Sequence, residues 1–225
     1  MHTFGHPVDM DPLVEICHKY RIELIEDGAE SIGSQYKGQH MGNWGRASIL
    51  SFNGNKIITT GGGGAILTND KNLANLAKHL TTQAKPPHQW SFNHDMVGYN
   101  YRMPNINAAL GCAQLEQLPD FLEKKRNLAA RYQEAFAEVE GVEIFKEASY
   151  AHSNYWLNVL LLNEEYSSER DKLLALTDNQ GIMTRPTWTL MHKLPMYQNC
   201  SRMDLSGAES LERRIINIPS SVNLA

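Results

Sequence analysis

The sequence predicts an α/β protein, in which helices and short strands alternate along the chain. Three apolar runs, at residues 22–26, 47–52 and 64–68, have the length of strands. Stretches with helical periodicity lie before the first run and after the third, and polar or glycine-containing turns separate the runs. This order is typical of a layered structure with helices packed on a sheet.

The first two elements are a helix from about residue 9 and the strand that follows it. Asp9 or Asp11 is placed to cap the helix, and Pro12 suits its first turn. Apolar residues recur on one helical face, namely Leu13, Ile16, Cys17 and Tyr20. The strand at residues 22–26 is expected to be buried and to end at Asp27.

After the third strand, a helix is expected from about Asp70, followed by an aromatic, proline-containing loop at residues 85–101. Pro104 is expected to open one helix, and a second helix follows Pro119 and ends near Gly141. The rest has the pattern of a smaller α+β unit. Its expected elements are a strand at 155–162, a helix capped by Ser167 or Ser168 and ended by Gly181, a strand at 182–184, a loop from Arg185 and a helix at about 207–213.

Composition and charge exclude several classes of protein. The 225 residues carry a formal net charge of -4, which does not favour nucleic acid or an anionic membrane surface as a partner. No apolar run is long enough to span a membrane, and the first residues do not form a secretory signal. The three cysteines are far apart, and the nine histidines show no metal-ligand spacing, so we expect a cytoplasmic protein without a metal site.

A carboxylate and a lysine point to the chemistry. Asp27 ends the first strand, and Lys56 closes residues 51–56 (SFNGNK) after the second. Lysine forms a Schiff base with the aldehyde of pyridoxal 5'-phosphate, and an aspartate keeps the pyridine nitrogen of that cofactor protonated. Ser51 is placed to bind a phosphate oxygen. The alternatives are a helix N-cap for Asp27, a solvated loop lysine for Lys56 and a backbone-bonded strand serine for Ser51.

Other polar clusters are weaker candidates. The glycines at 61–64 lack the pattern of a phosphate loop and favour a close backbone approach to Lys56. Asn100 and Arg102, within residues 98–103 (GYNYRM), suit anion or sugar contacts, and the alternative is a structural loop. His94 is a further candidate for substrate contact, and the alternative is a hydrogen-bonded pair with Asp95. Arg185, Trp188 and His192 are also candidates, and the alternative for them is ordinary packing.

Together these motifs resemble the DegT/DnrJ/StrS family of pyridoxal-phosphate-dependent sugar-nucleotide aminotransferases. The residues that carry the resemblance are 26–31 (EDGAES), 51–56 with the glycines that follow, and 98–104 (GYNYRMP). Residues 52–60 (FNGNKIITT) and 105–114 (NINAALGCAQ) are most similar to the branch that acts in legionaminic acid and bacillosamine pathways. The resemblance implies fold type I, with residues 1–118 in a large domain with a mixed, mostly parallel sheet and 119–225 in a small α+β domain.

The resemblance also implies roles for single residues. Lys56 would be the Schiff-base lysine and proton shuttle, Asp27 would pair with the pyridine nitrogen, and Glu30 would lie near the 3-hydroxyl of the cofactor. Ser51 would bind the phosphate, and Asn100 would reach the phosphate of the neighbouring subunit in a homodimer with a shared active site. The implied substrates are L-glutamate and a UDP-linked 4-keto-6-deoxy-N-acetylhexosamine, aminated at C4.

The sequence departs from the family at its beginning. The N-terminal segment with a phosphate-binding turn and a ring-stacking aromatic residue is missing, so we expect the C-terminal part of a longer enzyme. Missing strands would leave sheet edges unpaired and apolar surface bare, and tight cofactor binding by this chain alone is not expected. The alternative functions are a non-catalytic subunit that dimerises as a scaffold and, more remotely, a nucleotide-binding domain that uses the glycine run.

Overall fold

The computed structural model describes residues 1–224, which contain five α-helices and ten strands. The helices are α1 (Met10–Tyr20), α2 (Lys71–Thr81), α3 (Asn105–Ala135), α4 (Arg170–Asn179) and α5 (Ser206–Arg214). The strands are β1 (Ile25–Asp27), β2 (Gln35–Tyr36), β3 (Gln39–His40), β4 (Ala47–Ser51), β5 (Gly64–Leu67), β6 (Val142–Ile144), β7 (Ala151–His152), β8 (Asn158–Leu162), β9 (Arg185–Pro186) and β10 (Ile215–Ile218). The α/β class expected from the sequence is confirmed.

The chain divides into two compact units. The first comprises Met1–Glu123 and Glu147–Trp156, and the second comprises Lys124–Lys146 and the chain from Leu157 onward. The chain therefore passes from the first unit to the second within α3. The predicted boundary between residues 118 and 119 lies in the same helix, and as a division between domains it stays a prediction.

A mixed three-stranded sheet organises the first unit. Its strand order is β1-β4-β5, with β1 parallel to β4 and β5 antiparallel to β4. The register places Asp27 beside Ile49 and Ser51 beside Gly64. Because β1 and β4 run in parallel, their carboxyl ends meet at one edge of the sheet, where ligands of α/β proteins commonly bind.

Short elements complete the first unit around a small core. A second sheet has the order β3-β2-β7, and the buried side chains of Met10, Tyr36 and Met41 form the core next to it. Asp9 occupies the N-cap position of α1, but its carboxylate accepts a hydrogen bond from the Tyr36 hydroxyl at 2.7 Å. Asp70 caps α2 as expected, since its carboxylate accepts from the backbone amides of Asn72 and Leu73.

The second unit is built on an antiparallel sheet with the order β6-β8-β10-β9. All five residues of β8 are buried, which agrees with the apolar run at residues 159–162; the polar Asn158 is buried as well. The core of this unit consists of Ile144, Leu160, Leu162, Ile216 and Ile218, with side chains of α3 and α4 packed against it.

The predicted break at Pro119 is wrong, because α3 continues through the proline as a single helix. An interior proline costs a helix about 3 kcal/mol, since it removes one hydrogen bond and crowds the preceding turn. Leu128 and Ala129, beyond the proline, are buried. Their tertiary packing outweighs the local cost, which a sequence pattern does not reveal.

Several boundaries in the second unit also differ from the prediction. The strand predicted from residue 155 begins at Asn158, because Tyr155 has a positive φ of 46°. Neither Ser167 nor Ser168 caps α4, since a 3-10 segment, Glu164–Glu169, precedes the helix. Residues 182–184 are not a strand, and the short β9 at Arg185–Pro186 pairs with β10 instead.

No helix within residues 1–224 combines the length and the apolar character that crossing a bilayer requires.

Candidate active site

The carboxyl edge of the β1-β4 pair brings three predicted residues together. Asp27 is the last residue of β1, Glu30 lies in the turn that follows, and Lys56 lies in the loop after β4. Lys56 Nζ is 3.8 Å from Glu30 Oε1, and the charge of Asp27 acts on Glu30. Strand pairing thus assembles a cluster of one amine and two carboxylates from residues 29 positions apart in the chain.

Lys56 is largely enclosed. Only 13% of its side chain is exposed, and its ammonium lies 4.0 Å from the centroid of the Trp156 indole ring. Among residues 1–224, no acceptor lies within hydrogen-bonding distance of Nζ. Glu30 Oε1, at 3.8 Å, is too far for a hydrogen bond. The interpretation as a solvated loop lysine is therefore wrong, and the amine is available for chemistry.

Asp27 is half-buried and keeps one oxygen available. Its Oδ1 accepts a hydrogen bond from the Ala29 amide at 3.1 Å, and no donor within the described residues contacts Oδ2. Turns rather than a helix follow the residue, so the alternative interpretation as a helix N-cap is wrong. The second oxygen can accept a hydrogen bond from a cationic ring nitrogen.

Glu30 is fixed by the backbone of the N-terminal segment. Its Oε2 accepts a hydrogen bond of 2.7 Å from the Phe4 amide, where Phe4 has a positive φ of 59°. Burial raises the pKa of Glu30 above its usual value, against the opposing effects of the Phe4 amide and Lys56, and the Asp27 carboxylate adds to the rise. Glu30 is therefore a buried acid held against the Lys56 amine.

Ser51 ends β4 at the same edge of the sheet. Its hydroxyl oxygen accepts a long hydrogen bond of 3.4 Å from the Asn53 amide, which leaves its own proton free to donate. The neighbouring Gly64 is required by the strand pairing, because a Cβ there would lie 2.3 Å from the Leu50 carbonyl oxygen. The close approach in the glycine run is thus to β4, and the expected approach to Lys56 is wrong.

Trp156 and Asn154 belong to the cluster and were missed in the sequence. The Asn154 side chain donates to the carbonyl oxygens of Glu30 and Ile32, at 2.8 and 2.9 Å, and accepts from the Trp156 amide at 2.8 Å. The indole nitrogen of Trp156 donates to the Asn55 carbonyl at 2.8 Å. The sequence shows two adjacent aromatic residues, Tyr155 and Trp156, after Ser153 and Asn154. This pattern is a weak indication of a site, and the strand predicted at 155–162 includes the aromatic pair.

Asn100 and Arg102 lie in a different part of the first unit. They line a cavity of about 840 Å³ together with the glycine run and Asn107, and Asn100 forms an isolated bridge with Thr82. Lys56 is not among the residues that line this cavity. The sequence-derived roles of Asn100 and Arg102 stay predictions.

His94 lies in the same loop region, but its partner differs from the predicted one. Its Nδ1 is 2.7 Å from the Gln83 carbonyl oxygen, whereas Asp95 pairs with His79 at 2.6 Å. The proposed pair of His94 with Asp95 is therefore wrong. A contact of His94 with substrate stays a prediction.

Three further candidates, Arg185, Trp188 and His192, lie in the second unit. Arg185 belongs to β9 and is exposed, and Trp188 is half-exposed. His192 Nε2 lies 2.8 Å from the Glu209 carboxylate. Their contacts with substrate also stay predictions.

Comparison with known proteins decides the family. The model of the DegT/DnrJ/EryC1/StrS aminotransferase family matches residues 1–225. The chain belongs to this family. Its similarity extends to the GDP-perosamine synthase of Escherichia coli O157:H7, with 40% identity over 100% of this chain and 60% of that protein. The UDP-4-amino-4,6-dideoxy-N-acetyl-beta-L-altrosamine transaminase of Campylobacter jejuni (strain 81-176) is 30% identical over 96% of this chain and 58% of its own length.

Solved structures of DegT/DnrJ/EryC1/StrS aminotransferases share the fold. The aminotransferase TlmJ of Streptoalloteichus hindustanus superposes with a TM-score of 0.92 at 26% identity, over 100% of this chain and 60% of that one. Fold type I, expected from the sequence, is thereby confirmed. The chain spans about 60% of the length of the curated relatives that it matches.

Pyridoxal 5'-phosphate is confirmed as the cofactor of the family, and the residues at the sheet edge fit it. Within the described part of the chain, the Lys56 amine has no hydrogen-bond acceptor and can bond to a carbonyl group. Asp27 Oδ2 has no donor there and can accept from a ring nitrogen cation. Ser51 offers a hydroxyl proton for a phosphate oxygen. The fit rests on atoms whose bonding capacity the chain itself does not satisfy.

Proposed function

We propose that this chain carries the lysine half of the active site of a sugar-nucleotide aminotransferase. The enzyme would move an amino group from L-glutamate to the C4 keto carbon of a nucleotide-linked 4-keto-6-deoxyhexose. The observation that supports this most strongly is the enclosed Lys56, whose amine has no hydrogen-bond acceptor among residues 1–224 and lies at the sheet edge with Asp27. An enclosed amine beside carboxylates at a sheet edge is typical of a functional lysine.

The roles of the chain's residues follow from their surroundings. Pyridoxal 5'-phosphate, when bound, supplies a carbonyl group that exchanges the amino group and a ring that accepts electrons. Lys56 Nζ would hold the carbonyl and, once released, move a proton to and from the substrate carbon. Asp27 Oδ2 would accept a hydrogen bond from the ring nitrogen and keep it protonated, and Ser51 would donate to the phosphate.

The nucleotide and the sugar are a finer part of the proposal. The sequence motifs favour a UDP-linked 4-keto-6-deoxy-N-acetylhexosamine, whereas the relative with 40% identity is described as a GDP-perosamine synthase. The test therefore uses both the UDP-linked sugar and the GDP-linked keto sugar that leads to perosamine as substrates.

A homodimer in which Asn100 reaches the partner's phosphate site is a further part of the proposed function. Sedimentation velocity of the full-length protein measures the dimer.

Covalent trapping tests the proposal in the full-length protein. Adding pyridoxal 5'-phosphate is expected to produce an absorbance band near the visible edge, and borohydride should link the cofactor to the peptide that contains Lys56. Lys56→Ala should abolish both, whereas Lys37→Ala, which removes an exposed lysine paired with Asp11, should change neither. L-Glutamate should bleach the band and the keto sugar should restore it.

Two outcomes would contradict the proposal. A band that survives Lys56→Ala would exclude this lysine as the attachment point. No band and no glutamate half-reaction in the full-length protein would favour the non-catalytic scaffold.

A further inference from the structure

The indole ring of Trp156 lies against the reactive amine. Lys56 Nζ is 4.0 Å from the ring centroid, and Trp156 itself is only 4% exposed. The same amine is 3.8 Å from Glu30 Oε1. The Lys56 amine thus lies close to both an aromatic face and a carboxylate, and it has no hydrogen bond to either.

The chain fixes the position of the indole ring from several sides. Its Nε1 donates to the carbonyl of Asn55, the residue before the lysine, at 2.8 Å. The Trp156 amide donates to Asn154 Oδ1 at 2.8 Å, and Tyr155 takes a left-handed conformation with φ of 46°. Backbone strain of this kind persists where the surroundings over-determine it. The ring is therefore rigidly presented to the amine.

Both neighbours can interact with a cation at this position. The face of an indole attracts an ammonium through its quadrupole and offers little to a neutral amine. The Glu30 carboxylate likewise attracts the cation. A Lys56 ammonium would therefore contact an aromatic face and lie near a carboxylate. A lysine must lose its proton before it bonds to a carbonyl, so these contacts concern the amine after its release.

We infer that Trp156 is a positioning residue that holds the released Lys56 ammonium against its indole face and near Glu30. The inference rests on the proposed function, in which Lys56 leaves the cofactor and carries a proton at Nζ. The proton is kept at this atom until it is delivered to the substrate carbon. Trp156 acts through Lys56.

Competitive acetylation tests the inference without any catalytic assay. The cofactor-free full-length protein reacts at neutral pH with acetic anhydride, which acylates only the neutral amine. Mass spectrometry gives the rate at Lys56 relative to Lys172, an exposed lysine of α4, in the same sample. Trp156→Leu removes the aromatic face, and Trp156→Phe keeps one and is the matched control. Both variants lose the bond to Asn55.

Trp156→Leu is expected to raise the relative rate at Lys56 by about 2- to 30-fold, the range of a cation–π contact. Trp156→Phe should retain most of the slow reaction. Equal acetylation rates in the two variants would overturn the inference. If both rates are raised equally, the tryptophan only covers the amine, and if both are unchanged, its ring has no effect on the amine. If Trp156→Leu does not fold, Trp156→Met, which also lacks an aromatic face, replaces it.

Borohydride mapping separates this result from a failure of the proposed function. If the cofactor links to Lys56 in wild type and in both variants while their acetylation rates agree, only the role of Trp156 is wrong. If the cofactor does not link to Lys56 in the wild type, the proposed function is wrong, whatever the acetylation rates are.

Discussion

Three acids within five residues have three different environments. Glu26 is buried and bonded to backbone amides, Asp27 has one open oxygen, and Glu30 faces the amine of Lys56. The strand alternation explains the first difference, since neighbouring residues of β1 point to opposite faces of the sheet. The motif EDGAE thus combines a structural acid with two acids of the candidate site.

Glu26 is a structural acid, and its replacement should reduce stability. It accepts hydrogen bonds from the amides of Gly42, Trp44 and Gly45 at 2.7 to 2.8 Å. Glu26→Gln replaces one of the two accepting oxygens by an NH2 group, which then faces at least one of these amides, and it should lower the free energy of unfolding by about 1–3 kcal/mol at pH 7. Urea denaturation measures the change. Glu23→Gln, at an exposed ion pair with Arg46, is the control and should stay within about 0.5 kcal/mol.

The effect of Glu26→Gln should depend on pH. Burial alone would raise the pKa of Glu26, but hydrogen bonds from His2, Gly42, Gly45 and Trp44 outweigh it and hold the pKa below the usual value. A depressed folded-state pKa contributes stability that is complete above the unfolded-state pKa of about 4.3 and is lost as the pH falls through the folded-state pKa. The difference from wild type should therefore shrink in acid, and a constant difference would contradict this account.

At the scale of elements, local patterns predicted long or strongly apolar segments and failed for short ones. Strand β4, strand β5 and helix α2 lie close to their predicted positions. The two-residue strands β2, β3 and β7 have no periodicity to detect, and they form because other segments pair with them. Strand β10 follows α5 without a turn, and the sequence pattern predicted no element for its four residues after the helix at about 207–213.

The junction between β8 and β10 supplies a prediction about one hydroxyl. The buried Ser220 accepts hydrogen bonds from the amide and side chain of Asn158, at 2.7 and 3.2 Å, and donates to the Ile218 carbonyl. Ser220→Ala leaves the buried Asn158 amide without its acceptor, and the cost should be about 1–3 kcal/mol in urea denaturation. Ser221→Ala, at the exposed neighbouring position, should change stability by less than about 0.5 kcal/mol. If Ser220→Ala changes stability as little as Ser221→Ala does, water replaces the lost acceptor of Asn158.

At the scale of the whole molecule, apolar side chains remain exposed on the three-stranded sheet β1-β4-β5. Ile25, Ile49 and Ile66 lie on neighbouring strands and are 48–52% exposed, with Ile49 beside Ile66. The strand at residues 22–26 was expected to be buried, and the exposure of Ile22 and Ile25 shows that this is wrong. The bare apolar surface expected from the sequence is present on this sheet.

This surface should govern the solution behaviour of the 225-residue chain. The double variant Ile49→Thr, Ile66→Thr should reduce concentration-dependent association in sedimentation velocity and leave stability within about 1 kcal/mol. The control is Ile58→Ala, at a side chain that is 2% exposed, which should cost about 2–5 kcal/mol. Association unchanged in the double variant would show that another surface is responsible.

The sequence by itself determined the α/β class and predicted the residues of the candidate site. Asp27, Glu30, Ser51 and Lys56 lie in short motifs whose residue types suit one cofactor, and such motifs are visible without a structure. Only the tertiary structure decided which of these side chains meet and what surrounds them. Trp156 reaches Lys56 from 100 positions along the chain, and α3 continues through Pro119. The physical reason is that long-range packing and strand pairing outweigh local preferences, and the sequence pattern records only the local ones.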